Sequence, residues 1–315
     1  MPEGHSIHRL ARQFNDVFAG SRLRVSSPQG RFSADARRVD GRTLESAGAH
    51  GKMLFLRFDN DLTLRVHLGL YGAWDFGGDE GFRGASSIGA PRRVGEREAY
   101  DDGAPVPYAG PPEPVGQVRA RLESGHGWAD LRGPSACEVL DDAGVAAVLG
   151  RLGPDPLGPA PDDAVAGAAA LPVPVWDDPR AEFARRLVRR ATPVAVLLME
   201  QSVIAGVGNI YRAEALFRER MDPWATGRQA GVDAARRLWD DLASIMADGV
   251  RDGRIITTRP GDRSGAAPVW PDDAYYVYQR QGLGCRVCGT GIALAEIASR
   301  KLYWCPACQG REGRA

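Results

Sequence analysis

Two Cys-X-X-Cys pairs near the C-terminal end of the sequence have the spacing of a metal site. Cys285 and Cys288 form one pair, Cys305 and Cys308 the other, and sixteen residues separate them. Four thiolates can hold one zinc ion in tetrahedral geometry, with the intervening stretch as a β-hairpin. Because cysteine fills all four positions, the ion is expected to be structural. Two disulfides are the alternative, which a cytosolic chain disfavours, and Cys137 stands apart as a small core residue.

Lysine is almost absent from this sequence. Of forty lysine and arginine residues only Lys52 and Lys301 are lysine. A lysine amine is compact and can lose its proton, whereas an arginine guanidinium stays charged. A lysine that persists in so arginine-rich a sequence is therefore a candidate functional residue.

The bulk composition is typical of a globular protein: 43% of residues are hydrophobic, 25% are charged and the formal net charge is zero. No apolar run is long enough to predict a membrane span, and charged residues occupy the N-terminus where a signal peptide needs apolar ones. We therefore expect a cytoplasmic protein. The charge is uneven, since residues 276–315 are basic and the middle of the chain is acidic. Charge alone leaves the partner undecided.

The first half of the chain predicts a helix followed by strands. Apolar residues at three- and four-residue steps predict an amphipathic helix over residues 5–18. Alternating runs broken by Gly, Asp and Asn predict strands at 22–25, 31–32, 53–58, 62–67, 117–123 and 127–131. Residues 76–116, rich in Gly, Pro and charge, are predicted to be a long, mobile insertion.

The second half predicts helices. After a Pro- and Ala-rich linker, the patterns indicate helices at 178–190, 193–202, 209–219 and 232–250. A tight glycine turn, Gly206-Val207-Gly208-Asn209, joins the second to the third. The basic helix at 178–190 is expected to present its arginines to phosphates.

Four motifs, in order along nearly the whole chain, resemble the formamidopyrimidine-DNA glycosylase/endonuclease VIII family. Pro2-Glu3-Gly4 is similar to the family's N-terminus once Met1 is removed, which a small second residue favours. Gly51-Lys52 resembles its second basic catalytic element. The stretch from Val203 through the glycine turn resembles its helix-two-turn-helix motif, and the cysteine-containing tail resembles its zinc-finger hairpin.

The resemblance implies an α+β fold: a two-layer β-sandwich with a leading helix, a helical helix-two-turn-helix domain and a four-cysteine zinc-finger β-hairpin. We place the sandwich at residues 1–150, the linker at 151–175, the helical domain at 176–260 and the hairpin at 276–315. The implied partner is damaged double-stranded DNA, bound between the domains, so the cytoplasmic protein is expected to be nucleoid-associated. We expect a monomer that does not engage a membrane and that carries one structural zinc ion.

The resemblance also implies catalytic roles for Pro2, Glu3 and Lys52. Pro2 would attack the sugar C1′ through its α-amine and become an iminium, as amines do in Schiff-base enzymes. An α-amine has a pKa of about 7.7–8.0 against about 10.4 for lysine, so roughly a tenth of it is free base at neutral pH. Glu3 would act as acid and base. Lys52 would set a cation against the phosphate and the damaged nucleotide.

Two further residues are expected to bind DNA phosphates. Asn209 lies at a helix N-terminus, which is suited to anions, and Arg300 on the zinc hairpin would clamp the phosphates that flank the lesion. Glu214, on the following helix, is expected to be structural and to bind the glycine turn.

The loop His67-Leu-Gly-Leu-Tyr-Gly72 resembles the loop with which endonuclease VIII fills the void left by a flipped nucleotide. Leu70 and Tyr71 match the pattern and Gly69 departs from it. A second departure is Ser6, where relatives usually carry a carboxylate. Arg132 is a candidate third intercalating residue. The motifs favour a bifunctional glycosylase and AP lyase for oxidised pyrimidines; specificity for oxidised purines and a non-catalytic damaged-DNA-binding protein are the alternatives.

Overall fold

Residue contacts in the computed structural model divide the chain into two units, and the structure describes residues 2–90, 110–158, 176–265 and 269–310. The first unit runs to Arg151, and the second comprises Leu152–Gly158 and the described residues from 176 onward. Two predicted segments lie partly outside the described residues. The expected linker lacks residues 159–175, and the expected insertion lacks residues 91–109.

The first unit begins with helix α1 (Gly4–Phe18), as the apolar periodicity predicts. Its buried apolar face joins residues from the strands in one core. Phe14 makes edge contacts with Trp74 and Phe76, with the Phe14 and Trp74 ring centroids 4.9 Å apart. Burial of this face stabilises the helix, because each large apolar side chain contributes about 1.5–3 kcal/mol.

In the part of the chain that the structure describes, nine antiparallel strands form the two layers of the predicted β-sandwich. Strand β1 links the layers: its first two residues pair with β2 and its last three with β7. One layer has the order β6-β5-β8-β7-β1 and the other β1-β2-β3-β4-β9. The strands are β1 (Arg22–Ser26), β2 (Arg42–His50), β3 (Met53–Phe58), β4 (Thr63–His67), β5 (Ala73–Gly78), β6 (Ser87–Gly89), β7 (Val118–Glu123), β8 (Gly127–Arg132) and β9 (Ala136–Leu140).

Several expectations for this unit are wrong. Residues 31–32 are not a strand, because Phe32 precedes helix α2 (Ser33–Val39). The expected insertion begins inside β5 and contains β6, so it is shorter than the composition suggested. Strands β2, β5, β6 and β9 and helix α3 (Asp142–Leu149) were missed. The burial pattern of β2 does not alternate strictly, which is why period-two analysis overlooked it.

The second unit contains helices α4 (Pro179–Val188), α5 (Val194–Leu197), α6 (Asn209–Arg218) and α7 (Gly227–Asp252), then the hairpin of β10 (Ala293–Ile297) and β11 (Arg300–Trp304). Helix α7 begins at a capping box formed by Thr226 and Gln229 and is kinked at Gly231. The helix expected at 193–202 is limited to four residues, followed by turns. Leu302 of β11 is buried in the helical core, so the hairpin packs on the helices.

Among the described helices, none combines the length and the apolar character that crossing a membrane requires.

Candidate functional site

The expected nucleophile and its acid partner lie at the start of α1. Pro2 is buried, and Glu3 is 0% exposed in extended backbone at the N-cap position. The Glu3 carbonyl accepts a hydrogen bond from the Ser6 amide at 3.0 Å, but the Glu3 side chain does not cap the helix. The fold therefore holds Glu3 as a buried acidic side chain next to Pro2.

Helix α1 runs alongside β2 and directs its N-terminus toward the Gly51-Lys52 turn. The Gly20 amide donates to the Leu44 carbonyl at 2.8 Å, and the Asn15 side chain bonds both backbone groups of Ala47. From Asn15 to Glu3 the helix rises roughly 18 Å, and from Ala47 the strand advances roughly 10 Å to His50, where the Gly51-Lys52 turn begins. The structure thus brings Pro2 and Glu3 to the same end of the sheet as Lys52.

Lys52 occupies a two-residue hairpin turn between β2 and β3. His50 pairs with Met53, and Gly51 has a φ of +60°, which suits glycine at the first position of such a turn. Met53 also pairs with His67 at the end of β4. Burial lowers the pKa of His67, and the neighbouring Lys52 ammonium lowers it further. The Lys52 cation therefore lies next to the point where the loop after His67 begins.

The Ser6 departure is accompanied by a buried histidine. Ser6 Oγ and His5 Nε2 lie 3.2 Å apart in a hydrogen bond. Burial lowers the pKa of His5 to about 3, and the adjacent Arg9 cation lowers it further. His5 is consequently neutral near pH 7. At the expected departure, Ser6, this chain therefore has a neutral polar pair.

The loop after β4 exposes the two side chains expected to fill the void. Leu70 is 47% exposed and Tyr71 82% exposed, whereas the neighbouring Leu68 is buried. The Gly72 amide donates to the Leu68 carbonyl at 3.0 Å, which closes the loop tightly. Gly69 has a φ of +67°, and a Cβ there would lie 2.9 Å from Ser135 Cβ. The departure at residue 69 therefore has a steric cause: the loop requires glycine.

The contacts of Arg132 do not support its expected role as a third intercalating residue. It ends β8, and its guanidinium donates to the Asp75 carboxylate on the adjacent strand β5. The Arg132 side chain is mostly buried and Asp75 is buried. An ion pair of this kind fixes the arginine in the sheet, because breaking it would leave a buried charge uncompensated.

In the second unit, Asn209 and the hairpin that carries Arg300 are joined by a hydrogen bond. Asn209 is the first residue of α6, and its Nδ2 donates to the Lys301 carbonyl at 3.0 Å. Arg300 directly precedes Lys301 and is exposed. The turn before Arg300 consists of Ala298 and Ser299, both with positive φ, as two-residue hairpin turns favour. The fold thus brings the two expected phosphate ligands together.

Glu214 is structural, but it does not bind the glycine turn as expected. Its buried carboxylate accepts hydrogen bonds from three consecutive amides, Tyr276 at 2.8 Å, Val277 at 2.9 Å and Tyr278 at 2.8 Å. It also accepts from the Thr257 hydroxyl. Glu214 therefore fixes the segment leading into the cysteine hairpin to α6. No sequence pattern indicated these contacts, because the partners of Glu214 lie more than forty residues away.

The arginines of residues 180–190, most of them on α4, offer less positive charge than the sequence suggested. Arg180 pairs with Asp240 and Arg190 with Glu200, each with a nitrogen–oxygen distance of 2.7 Å or less. Arg185 and Arg186 both donate to Glu182, whose pKa falls to about 2 because of these bonds. The sequence predicted a basic face on this helix, but the structure shows arginines paired with carboxylates.

The four paired cysteines converge on one point and form a cluster able to bind a metal ion. Their Sγ atoms all lie within 4.8 Å of one another, with 3.9 Å between Cys285 and Cys308 and 3.5 Å between Cys288 and Cys305. A tetrahedral site with metal–sulfur bonds of about 2.3 Å has sulfur–sulfur edges of roughly 3.8 Å. The backbone amide of Cys308 also donates to the Cys305 sulfur at 3.5 Å. The donor set and its dimensions fit zinc.

Comparison with known proteins identifies the class. Residues 1–127 match the sequence model of the formamidopyrimidine-DNA glycosylase N-terminal domain, and residues 174–260 match that of its H2TH domain. With the sandwich, the helical unit and the cysteine hairpin, these matches define a helix-two-turn-helix DNA glycosylase. The chain belongs to the formamidopyrimidine-DNA glycosylase/endonuclease VIII family, whose members are DNA glycosylases and AP lyases.

Individual relatives agree with this assignment. The chain is 41% identical over 310 residues to Endonuclease 8 1 of Mycobacterium tuberculosis, covering 98% of this chain and 100% of that protein. It is 28% identical over 318 residues to the formamidopyrimidine-DNA glycosylase of Thermomicrobium roseum, covering 98% and 99% of the two chains. It is similar to the crystal structure of the MutM (Fpg) protein from Thermus thermophilus, with a TM-score of 0.67, 26% identity and coverage of 99% and 100%.

A solved structure of lower identity shares the fold. The Lactococcus lactis formamidopyrimidine-DNA glycosylase, noncovalently bound to DNA containing an AP site, superimposes with a TM-score of 0.69. It is 18% identical, and the match covers 98% of this chain and 99% of that one.

Proposed function

We propose that this protein is a bifunctional glycosylase and AP lyase that removes oxidised bases, preferentially pyrimidines, from double-stranded DNA. One observation carries the proposal: the fold gathers Pro2 and Glu3, the Lys52 turn and the exposed Leu70–Tyr71 loop at one end of one sheet. An amine, an acid, a cation and an apolar wedge are the groups that excision of a flipped base requires. The similarity to Endonuclease 8 1 supports the endonuclease VIII branch of the family, for which the sequence motifs favour oxidised pyrimidines.

Pro2 acts as the nucleophile once Met1 is removed. The lone pair of its nitrogen forms a bond to C1′, and the electrons of the glycosidic bond leave with the base, which takes up a proton. The nitrogen then loses its proton, and its lone pair forms the C1′ iminium as the C1′–O4′ bond opens. This cation acidifies the C2′ hydrogen, so loss of that proton expels the 3′ phosphate by β-elimination. A second elimination releases the 5′ phosphate.

Glu3 and Lys52 assist these steps in different ways. Glu3 donates the proton that O4′ or the departing base receives and later accepts one from C2′. Its burial keeps it close to the reacting atoms and strengthens its interactions, because the local dielectric is low. Lys52 stabilises the negative charge of the nearby phosphate and holds the damaged nucleotide.

The second unit binds the DNA backbone in this proposal. Asn209 and Arg300 bind phosphates that flank the lesion. The cysteine cluster holds one structural zinc ion through Cys285, Cys288, Cys305 and Cys308. Bound zinc stabilises the hairpin, since the binding energy of a closed four-thiolate site is folding energy.

Excision from duplexes that each carry one lesion tests the proposed function. Under single-turnover conditions we expect an oxidised pyrimidine such as thymine glycol to be excised about tenfold faster or more than 8-oxoguanine or a formamidopyrimidine. A reversed order would assign the protein to oxidised purines. Binding without excision of any lesion would indicate a non-catalytic damaged-DNA-binding protein. Undamaged duplex is the control in each case.

Truncation of the loop side chains tests the wedge. We expect Tyr71→Ala combined with Leu70→Ala to slow excision by about tenfold or more, because stacking on a base is worth roughly 1–3 kcal/mol. The melting temperature should stay nearly unchanged, since Tyr71 is 82% exposed. Val115→Ala is a matched control, because Val115 is an exposed apolar residue of the same unit, outside this loop. Equal excision by the double variant and by Val115→Ala would remove the loop from the mechanism.

A further inference from the structure

Arg212 is a buried cation next to the expected phosphate ligands. It lies in the first turn of α6, three residues after Asn209, and is 1% exposed. Residues three apart on a helix share a face, so the two side chains meet. A buried guanidinium is costly unless its N–H groups are hydrogen-bonded. The contacts of Arg212 therefore show what it holds in place.

The Arg212 guanidinium bonds both Asn209 and the hairpin. Its Nη2 donates to the Asn209 Oδ1 and, at 2.8 Å, to the Lys301 carbonyl. Its Nη1 lies 3.3 Å from the Ala195 carbonyl on α5. One rigid, planar group thus spans α5, the first residue of α6 and strand β11.

The first of these bonds fixes the orientation of the Asn209 amide. An asparagine side chain has one acceptor oxygen and one nitrogen with two N–H groups. Because the guanidinium only donates, it holds Oδ1 toward Arg212 and turns Nδ2 toward Lys301. One N–H of Nδ2 bonds the Lys301 carbonyl at 3.0 Å. Because the amide group is planar, these two bonds also fix the direction of the second N–H of Nδ2. In the proposed complex this N–H donates to a phosphate oxygen.

The second bond fixes the hairpin strand that carries Arg300. The Lys301 carbonyl accepts from both Asn209 and Arg212, so the backbone next to Arg300 is tied to α6 at two points. The exposed Arg300 side chain extends from this anchored strand. The planar guanidinium of Arg300 can bind a phosphate through two hydrogen bonds only when the strand that carries it is held in place.

We propose that Arg212 is a positioning residue for DNA binding, which orients the Asn209 amide and anchors the hairpin so that Asn209 and Arg300 engage the DNA backbone together. This inference rests on the proposed function, in which those two residues bind phosphates. Arg212 itself is too deeply buried to contact DNA. No sequence pattern singles it out, because arginine is common throughout this chain.

A double-mutant cycle tests the inference. The probe is a duplex containing tetrahydrofuran, an abasic-site analogue that cannot undergo the reaction, and the readout is the Kd. We expect Arg212→Met to weaken binding about tenfold in the wild-type background and less than about twofold in the Asn209→Ala background, because coupled residues give non-additive effects. Arg212→Lys should recover little, because an ammonium lacks the planar fork. The single-turnover excision rate at saturating enzyme should change by less than about twofold, since the chemical groups lie in the first unit.

Arg218→Gln is the matched control for loss of a buried arginine on α6. Arg218 bonds Asp241 and the Thr257 carbonyl rather than Asn209 or Lys301. Its replacement is expected to lower the melting temperature but to leave the Kd nearly unchanged. If Arg212→Met proves too unstable to purify with bound zinc, Arg212→Gln, which keeps a donor, replaces it in the same cycle.

Two different failures can be told apart. Equal loss of affinity from Arg212→Met in both backgrounds, or the same loss from Arg218→Gln, would show a merely structural role and overturn the inference alone. Unchanged affinity in both Asn209→Ala and Arg300→Ala would instead overturn the proposed phosphate contacts on which the inference rests.

Discussion

Borohydride added to the protein and an abasic-site duplex is expected to leave a stable covalent complex between them. The iminium that Pro2 forms with C1′ is reduced to an amine, which cannot hydrolyse. An N-terminal tag that blocks the Pro2 amine should abolish the complex, and Pro2→Gly should form it weakly, because a terminal amine remains with altered geometry. Electrophoresis under denaturing conditions measures the yield, and peptide mapping identifies the attached residue.

Because lysine is scarce, few amines compete with Pro2 for the adduct. Apart from the N-terminus, the amines of the chain are those of Lys52 and Lys301. Lys52→Ala should slow excision but still form the complex, while Glu3→Gln should slow base excision about a hundredfold or more and retain some cleavage of abasic sites. An adduct mapped to either lysine would show that Pro2 is not the nucleophile. Binding without any adduct would favour a damaged-DNA-binding protein without catalysis.

Removal of the metal is expected to unfold the hairpin and abolish tight DNA binding while the first unit stays folded. The four thiolates would repel one another without a cation, and the packing of Leu302 and the contacts at Lys301 depend on the hairpin. We expect Cys305→Ser to lower the affinity for abasic-site DNA by about a hundredfold or more, because both phosphate ligands lose their support. Zinc content, hydrogen exchange of residues 282–310 and the Kd measure the effect.

Cys137→Ser is the matched control for this prediction. Cys137 lies in β9, in the first unit and outside the cluster, and packs against the sandwich core. Its replacement should retain the zinc ion and the DNA affinity at a small cost in stability. If Cys305→Ser lost the metal yet bound abasic-site DNA as tightly as the wild type, the hairpin would not be part of the DNA-binding surface.

The candidate chemical groups could be proposed from the sequence because their signals are local. The cysteine spacing predicted the cluster that the four Sγ atoms form. The Leu70–Tyr71 pair was proposed from a six-residue loop, and both side chains are exposed in the structure. Helix α1 followed from apolar residues at helical spacing. In each of these cases the residues that form the pattern are close together in the chain.

The tertiary structure alone decided how these groups are supported. Arg212 and Lys301 are 89 residues apart, and Glu214 meets amides 62 to 64 residues away. Such contacts leave no periodicity in the sequence, because the partners come together only when separate elements pack. The same reason explains the errors at Arg132 and along α4, where arginines that looked available to DNA are bound to carboxylates from other parts of the chain. The sequence by itself determined which chemical groups are present, and the packing of distant elements determined which of them are available to act.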